Sequence, residues 1–429
     1  MTTRVLFAAP CAILLLAIPP ARASAQGGPL GDLYRARRLF ALRDRVAARA
    51  DRSVETRCYR GIVLEKFNQV DASIAPLRAC IAATTDTLLA REAWRTLADG
   101  YVKLYRYGEA ASAYEGLVRR YGAADTALAA DWRNSAVLWR AAARAAMPQR
   151  IATRAGTTLP MMRDRAGLLR VPVRVNGESV SLVFDTGAQL SVLSASEARR
   201  LGVQVSADTI RVDAATGLRT TAHLGVARRL RLGSIEMREV LFLVFPDSAL
   251  AFPQIGYRID GILGFPVLDA LGEISLERDA RLRIPARVDT AGLRNLALDD
   301  LVMLVAGAVD GRRGCYQLDT GASTTALFPS FLAARRGARD ARLRARITAD
   351  TVGVGGAGGV RLIPGLAVSP LVLATGGATV SLPRVHLYTE PIDDASRVLD
   401  GTIGQDVLRQ FAVVTLNFRA MSFELRAAD

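Results

Sequence analysis

The sequence predicts a multidomain chain: an N-terminal α-helical repeat region followed by an all-β region built as two matching lobes. Three observations predict this. Residues 30 to 147 are dominated by alanine, leucine and arginine, hold a single proline, Pro76, and carry apolar residues at helical spacing. From Leu159 onward glycine, valine and two-residue alternation take over. Within this β-rich region the same pattern occurs twice: strand, two-residue turn, strand, then Asp-Thr-Gly-Ala, at Asp185–Ala188 and again at Asp319–Ala322.

The first 25 residues stand apart. Arg4 is followed by VLFAAPCAILLLAI and then PPARASAQ, the charged start, short apolar run and small-residue break of a secretory signal peptide; Ala23-Ser24-Ala25 suits cleavage before Gln26. The apolar run has 14 residues and contains Pro10, shorter than a bilayer span requires. An uncleaved anchor is the alternative. The mature chain is expected to be extracytoplasmic, periplasmic or secreted, with no integral membrane span. Cys11 would leave with the signal, and Cys58, Cys80 and Cys315 remain. An oxidising compartment permits a bridge. Cys58 and Cys80 fall on successive antiparallel helices with adjacent ends, so a disulfide is expected between them, and Cys315 is expected as a buried core thiol.

The formal charge is +15, almost all of it arginine, since Lys66 and Lys103 are the only lysines. Acids are interleaved nearly everywhere and few aromatics accompany the arginines, so no nucleic-acid partner is expected. One run, Ala333 to Arg346, has six arginines against the single acid Asp340 and marks an exposed helix or loop.

In the helical region, taken as residues 26–150, Trp94, Leu97, Ala98 and Tyr101 precede Ala110 and Tyr114 in a pattern that resembles a tetratricopeptide repeat. Gly61 and Leu64 stand at the matching places of an earlier, weaker copy. The resemblance implies a surface for peptides or a protein partner. A helical spacer or cap on the next domain fits the residues equally well.

The two lobes are read as residues 160–285 and 296–429, joined near Thr290. The turn dipeptides Asn176-Gly177 and Asp310-Gly311, each between alternating apolar runs, predict the hairpins that lead into the two aspartates. A further hairpin is expected in LRLGSIEMREVLFLVF. Each Asp-Thr-Gly-Ala is followed by a second matched motif, Ile262-Leu263-Gly264 and Thr402-Ile403-Gly404, whose glycines lie 79 residues beyond Asp185 and 85 beyond Asp319.

These paired motifs resemble the retropepsin-like aspartic peptidases, over about 260 residues that exclude the helices. The resemblance implies an acid-protease-like bilobal fold and an endopeptidase acting on polypeptides. Asp185 and Asp319 would be the catalytic pair, with Thr186, Gly187, Ala188, Thr320, Gly321 and Ala322 supporting them. Ile262, Leu263, Gly264, Ile403 and Gly404 would pack alongside; Thr402 departs from the apolar residue expected there. It also implies a hairpin cover over the cleft from each lobe, sought near Thr216-Gly217 and in VGVGGAGGVRL. The chemistry follows from the residues themselves. Two carboxylates held close cannot both ionise, so they share a proton; one activates a water while the other donates to the scissile carbonyl.

Other chemistries are disfavoured. His223 and His386 are the only histidines, too few and too scattered for an ordinary zinc site, and no metal or cofactor is expected. No Gly-x-Ser-x-Gly elbow is present. Gly353-x-Gly355-x-x-Gly358 matches a dinucleotide fingerprint in letters, but VRLIPG after it is no helix. The rival from another class is an inactive peptide-binding or scaffolding protein that keeps the fold. A second rival pairs lobes between molecules rather than within one. Both acids lie outside the helical region, so the helices are expected to be dispensable for the chemistry.

Overall fold

The structure, a computed structural model, describes residues 29–213, 219–253, 256–334, 341–356 and 359–428. The expected signal peptide, the hairpin tip at Thr216-Gly217, residues 335–340 of the arginine-rich run and Gly358 lie outside the described residues.

Seven helices come first: α1 (Pro29–Arg35), α2 (Leu39–Ala47), α3 (Val54–Lys66), α4 (Val70–Ala83), α5 (Thr87–Lys103), α6 (Tyr107–Tyr121) and α7 (Thr126–Ala145). Ser53, Asp86 and Asp125 cap α3, α5 and α7 by accepting from N–H groups of the first turn. The helices between them, α2, α4 and α6, start without a side-chain cap. Each is instead entered through a tight turn whose first residue has a left-handed backbone: Arg37 (φ 50°), Asn68 (φ 59°) and Tyr105 (φ 57°). In all three the next N–H reaches back five residues at 2.8 Å: Arg38 to Leu33 O, Gln69 to Leu64 O and Arg106 to Tyr101 O. The region is therefore three helical hairpins with one turn geometry, followed by α7. Ala98 and Ala110 are fully buried where α5 meets α6, as their size allows.

Cys58 on α3 and Cys80 on α4 are joined by a disulfide, 22 residues apart in sequence. Closing a loop of that length stabilises by about 3 kcal/mol. Cys58→Ser is expected to lower the urea midpoint of unfolding accordingly, and identical midpoints for the oxidised and reduced chains would contradict the assignment.

In lobe one, the strand Glu178–Phe184 pairs antiparallel with Leu169–Val175 across the Asn176-Gly177 turn, and parallel with Gly261–Leu263. In lobe two, Arg312–Leu318 pairs antiparallel with Val302–Val309 across Asp310-Gly311, and parallel with Gly401–Ile403. The turn residues take positive φ, 50° and 100° in the first and 49° and 78° in the second, as the dipeptides require. A hairpin follows in each lobe: Gln204–Asp213 with Arg219–Leu232, and Ile347–Gly356 with Gly359–Val368. Arg219–Leu232 turns again into Ile235–Phe245, the further hairpin expected from the sequence.

The lobes are knitted together by a five-stranded sheet. Glu273–Glu277 from lobe one pairs antiparallel with Val413–Asn417 from lobe two, and Thr157–Pro160 and Ser422–Arg426 form its outer strands. One boundary differs from expectation. Strands begin at Arg150–Thr153, which joins the lobe-one sheet against Ile235–Phe245, so lobe one starts ten residues ahead of position 160. Arg150–Thr153 lacks strict alternation and follows directly on a helix, so no local pattern announces it.

The helices dock on the lobes through their turns. Arg37 Nε lies 2.7 Å from Asp299. Asn68 donates to Asp269 and to Phe418 O, and Gln149 bridges Tyr105 and Pro266 O. Lys66, 1% exposed, sits 2.9 Å from Asp299, 3.2 Å from Glu65 and 3.6 Å from Asp99. Arg95 pairs with Asp300 at 2.5 Å, and Arg38 with buried Asp400. Removing the helices would strip the cations from these buried carboxylates, so the independence of the β lobes expected from the positions of the two acids carries a stability cost.

Candidate active site

Each aspartate ends a strand buried on both faces. Val183, Phe184 and Leu318 are at most 1% exposed, so the backbone that delivers the carboxyls is fixed by packing on either side. The N–H of Asp185 donates to Leu263 O at 3.1 Å, and that of Asp319 to Ile403 O at 3.0 Å. The second motif thus sets each aspartate loop from below. Ile262, Leu263 and Ile403 are fully buried. Thr402, the departure from the apolar pattern, is also buried, with its hydroxyl 3.5 Å from Gln317 O.

The chain then turns, and the two loops lock reciprocally. Thr186 Oγ1 donates to Leu318 O at 2.8 Å and accepts from Thr320 N at 2.9 Å. Thr320 Oγ1 donates to Phe184 O at 2.8 Å and accepts from Thr186 N at 3.0 Å. These four buried bonds link lobe to lobe directly beneath the acids.

The glycines explain why no side chain is tolerated next. A Cβ on Gly187 would lie 2.7 Å from the Asp319 carboxyl, and one on Gly321 would lie 2.7 Å from Asp185 Oδ2. Each loop therefore presses its backbone against the acid of the other lobe. Gly187 N donates to Asp185 Oδ1 at 2.8 Å; Gly321 N and Ala322 N donate to Asp319 Oδ1 at 2.7 and 3.1 Å. Ala188 O and Ala322 O accept from Phe265 N and Gln405 N, closing each loop onto the residue after its second-motif glycine.

Asp185 and Asp319 are 0% and 1% exposed. Among the described residues no N–H or O–H reaches Asp185 Oδ2, which leaves the Asp319 carboxyl as its partner. Two acceptor oxygens in contact require a proton between them. Burial, reinforced by the Asp319 charge and opposed by the Gly187 and Ala188 N–H groups, holds Asp185 well above the usual carboxylate range. Burial also raises Asp319, while hydrogen bonds from the Asp185 side and from Gly321 and Ala322 oppose the rise.

Every candidate site residue named from the sequence lies at this centre except Cys58 and Cys80, which belong to the helices. Cys315 is a buried free thiol, pushed up by burial. Two functional residues were missed. Ser191 Oγ accepts from Gly264 N and Thr325 Oγ1 accepts from Gly404 N, both at 3.0 Å, anchoring the second-motif glycines. Both stand six residues after their aspartate, so a matched hydroxyl at the same offset in the two copies was the available signal. Gln405, which donates to Thr320 O at 2.6 Å, has no counterpart amide in lobe one, where Phe265 stands. Among the described residues no cluster of His, Cys, Asp and Glu is arranged to hold a metal ion.

Fold and site together define an aspartic protease-like domain. Residues 171–267 match the family model described as aspartyl protease. The match falls within lobe one; lobe two is connected to it by the internal repeat. Among solved structures, a retropepsin-like aspartic protease from Rickettsia conorii is 16% identical, aligning with 32% of this chain and 92% of its own at a TM-score of 0.21. Conglutin gamma, a basic 7S globulin from lupine seeds, is 11% identical over 64% of this chain and all of its own, at a TM-score of 0.36. No curated protein matches the chain.

Proposed function

We propose that this chain is an exported aspartic-type peptidase that hydrolyses peptide bonds with a water activated by an Asp185/Asp319 pair formed within one molecule. The observation that carries the reading is the meeting of two buried carboxyls, each pressed by the other lobe's glycine; one proton shared between them would let both stay buried. In the cycle, the ionised carboxyl takes a proton from the attacking water and the protonated one donates to the carbonyl oxygen; the proton then passes to the leaving amine. Neither a covalent intermediate nor a resident metal is required. The signal-like N-terminus supports export, and the three helical hairpins of one turn geometry support the tetratricopeptide-like reading of the helical region, residues 26–150, with a peptide or protein partner.

The test is incubation of the mature protein with a mixed peptide library from roughly pH 3 to pH 8, read by mass spectrometry. Cleavage requires one proton on the pair. Activity is expected to fall at low pH as both carboxyls become protonated, and at high pH as the last shared proton leaves. Because burial raises both acids, the upper limb lies above the ordinary carboxylate range. Absence of cleavage at every pH would favour the inactive scaffold instead.

A further inference from the structure

The matched halves of the two lobes can be compared residue by residue, and one charge fails to match. Each second motif is preceded by an aspartate, Asp260 four residues before Gly264 and Asp400 four before Gly404. Their main chains do the same work. Asp260 O accepts from Ser194 N at 2.9 Å and Asp400 O from Phe328 N at 3.0 Å, and each donor stands nine residues beyond the aspartate of its own Asp-Thr-Gly-Ala.

The side chains differ. That of Asp260 is 33% exposed and takes its counterions from its own lobe, Arg258 Nε at 3.0 Å and Arg170 at 3.8 Å. Lobe two has apolar residues at both of these places. Two residues before Asp400 stands Val398, as Arg258 stands before Asp260; fifteen before Asp319 stands Leu304, as Arg170 stands before Asp185. Yet the Asp400 side chain is 1% exposed. Its counterion comes from outside the lobe. Arg38, in the turn between α1 and α2, grips both carboxylate oxygens, Oδ2 through one guanidinium nitrogen and Oδ1 through the other at 3.2 Å. Among the described residues no other cation pairs with Asp400.

Asp400 sits at the root of the second aspartate loop. Its Oδ2 accepts from Cys315 N at 2.9 Å, and its own N–H donates to Cys315 O at 3.0 Å. Cys315 is four residues before Asp319 on the strand that delivers it. A Cβ on Gly314 would lie 2.6 Å from Asp400 Oδ2, so the strand backbone packs directly on this carboxylate. Asp400 then leads into Gly401–Ile403, whose last carbonyl accepts from Asp319 N. A buried carboxylate stripped of its cation is strongly unfavourable. Displacing it would disturb the strand before Asp319, the second motif beneath it and the segment at Phe328 together.

We propose that Arg38 is a positioning residue for Asp319: the helical region supplies the counterion that lobe one supplies for itself, and the Asp319 loop keeps its working geometry only while the turn between α1 and α2 is docked. As a statement about rate, this rests on the peptidase reading above.

The test uses the mature full-length protein and a peptide that it cuts. Arg38→Ala is expected to lower kcat by about 10²-fold, the cost of a displacement of about 1 Å at a reacting group, with KM nearly unchanged. Arg38 lines a pocket of about 960 Å³ between α2 and lobe two, so the gap left by alanine is open to a small cation. Millimolar guanidinium, far below denaturing levels, should recover about tenfold of the loss, and urea at the same concentration should recover none. Asp400→Asn added to Arg38→Ala removes the orphaned charge and keeps an oxygen for Cys315 N, so the double variant should be faster than Arg38→Ala alone. Independently of cleavage, hydrogen exchange read by mass spectrometry should quicken over residues 315–328 of Arg38→Ala and stay unchanged over residues 181–194. If Arg38→Ala does not fold, Arg38→Lys, which keeps the charge and loses the two-pronged grip, takes its place in the kinetic and exchange measurements. A kcat equal to the parent's overturns the positioning role, as does exchange that quickens equally over both loops or a loss that neither guanidinium nor Asp400→Asn relieves. If the parent cuts no peptide at any pH, the peptidase reading falls, and the exchange measurement alone decides whether Arg38 holds the Asp319 loop.

Discussion

Asp185→Asn and Asp319→Asn should each reduce peptide cleavage by about 10³-fold or more, because an amide cannot carry the proton that the cycle passes between the two groups. Both variants should fold. Asparagine keeps the side-chain oxygen that accepts from Gly187 N in one loop and from Gly321 N and Ala322 N in the other. Mixing the two variants should restore nothing, since the five-stranded sheet and the four threonine bonds hold both acids within one chain. If like lobes paired between molecules, a lobe-one pair would need only Asp185, and Asp319→Asn would stay active. Residual activity comparable to the parent in either single variant would refute the intramolecular pair. The same substitution carries a stability signature. The folded pKa of Asp185 is raised above its unfolded value near 3.8, so its favourable contribution is complete below that value and is lost as the pH rises through the folded one. Asp185→Asn should therefore raise the melting temperature at neutral pH and change it less in acid.

Lys66→Met is expected to destabilise the protein by about 3–5 kcal/mol, the range found when one partner of a buried ion pair is removed. Met matches the length of the lysine stem and loses only the charge. It would leave Asp299, Glu65 and Asp99 without their common cation, in a site where Lys66 is 1% exposed. Burial opposes ionisation of Asp299, yet Arg37, Lys66 and Arg95 together hold its carboxyl well below the usual range. A depressed carboxylate stabilises above its unfolded pKa and loses that contribution as the pH falls through the folded one. The penalty of Lys66→Met should accordingly shrink toward acid pH, as measured by urea unfolding at matched ionic strength. A change below about 1 kcal/mol at neutral pH would show that the helices and lobes are coupled by other contacts.

The difference between what the sequence disclosed and what it concealed follows the range of each interaction. Asn176-Gly177 and Asp310-Gly311 specify their turns by local backbone preference, and the strands beside them alternate visibly. Asp185, Gly187, Asp319 and Gly321 were legible because a pattern that recurs in one chain, with its second motif at nearly equal spacing, supplies its own internal comparison. The clamp of Lys66 and Arg37 on Asp299 has no such trace: the partners are more than two hundred residues apart, and a charged residue on a helix ordinarily reads as solvated. The turns at Arg37, Asn68 and Tyr105 were hidden for a related reason. They adopt the left-handed conformation without glycine, and tertiary contacts with the lobes compensate for what backbone preference disfavours. Arg150–Thr153 is a strand only because Ile235–Phe245 offers it an edge.

The shared sheet sets a schedule for synthesis. Its lobe-one strand, Glu273–Glu277, is made well before its partner, Val413–Asn417, and before the edge strand Ser422–Arg426. Gly401–Ile403, which supports Asp319, also emerges late. A nascent chain thus carries Asp185 in lobe one, with its twin made but not yet supported. The pair is completed only when Val413–Asn417 closes the seam, so assembly of the site follows strand order.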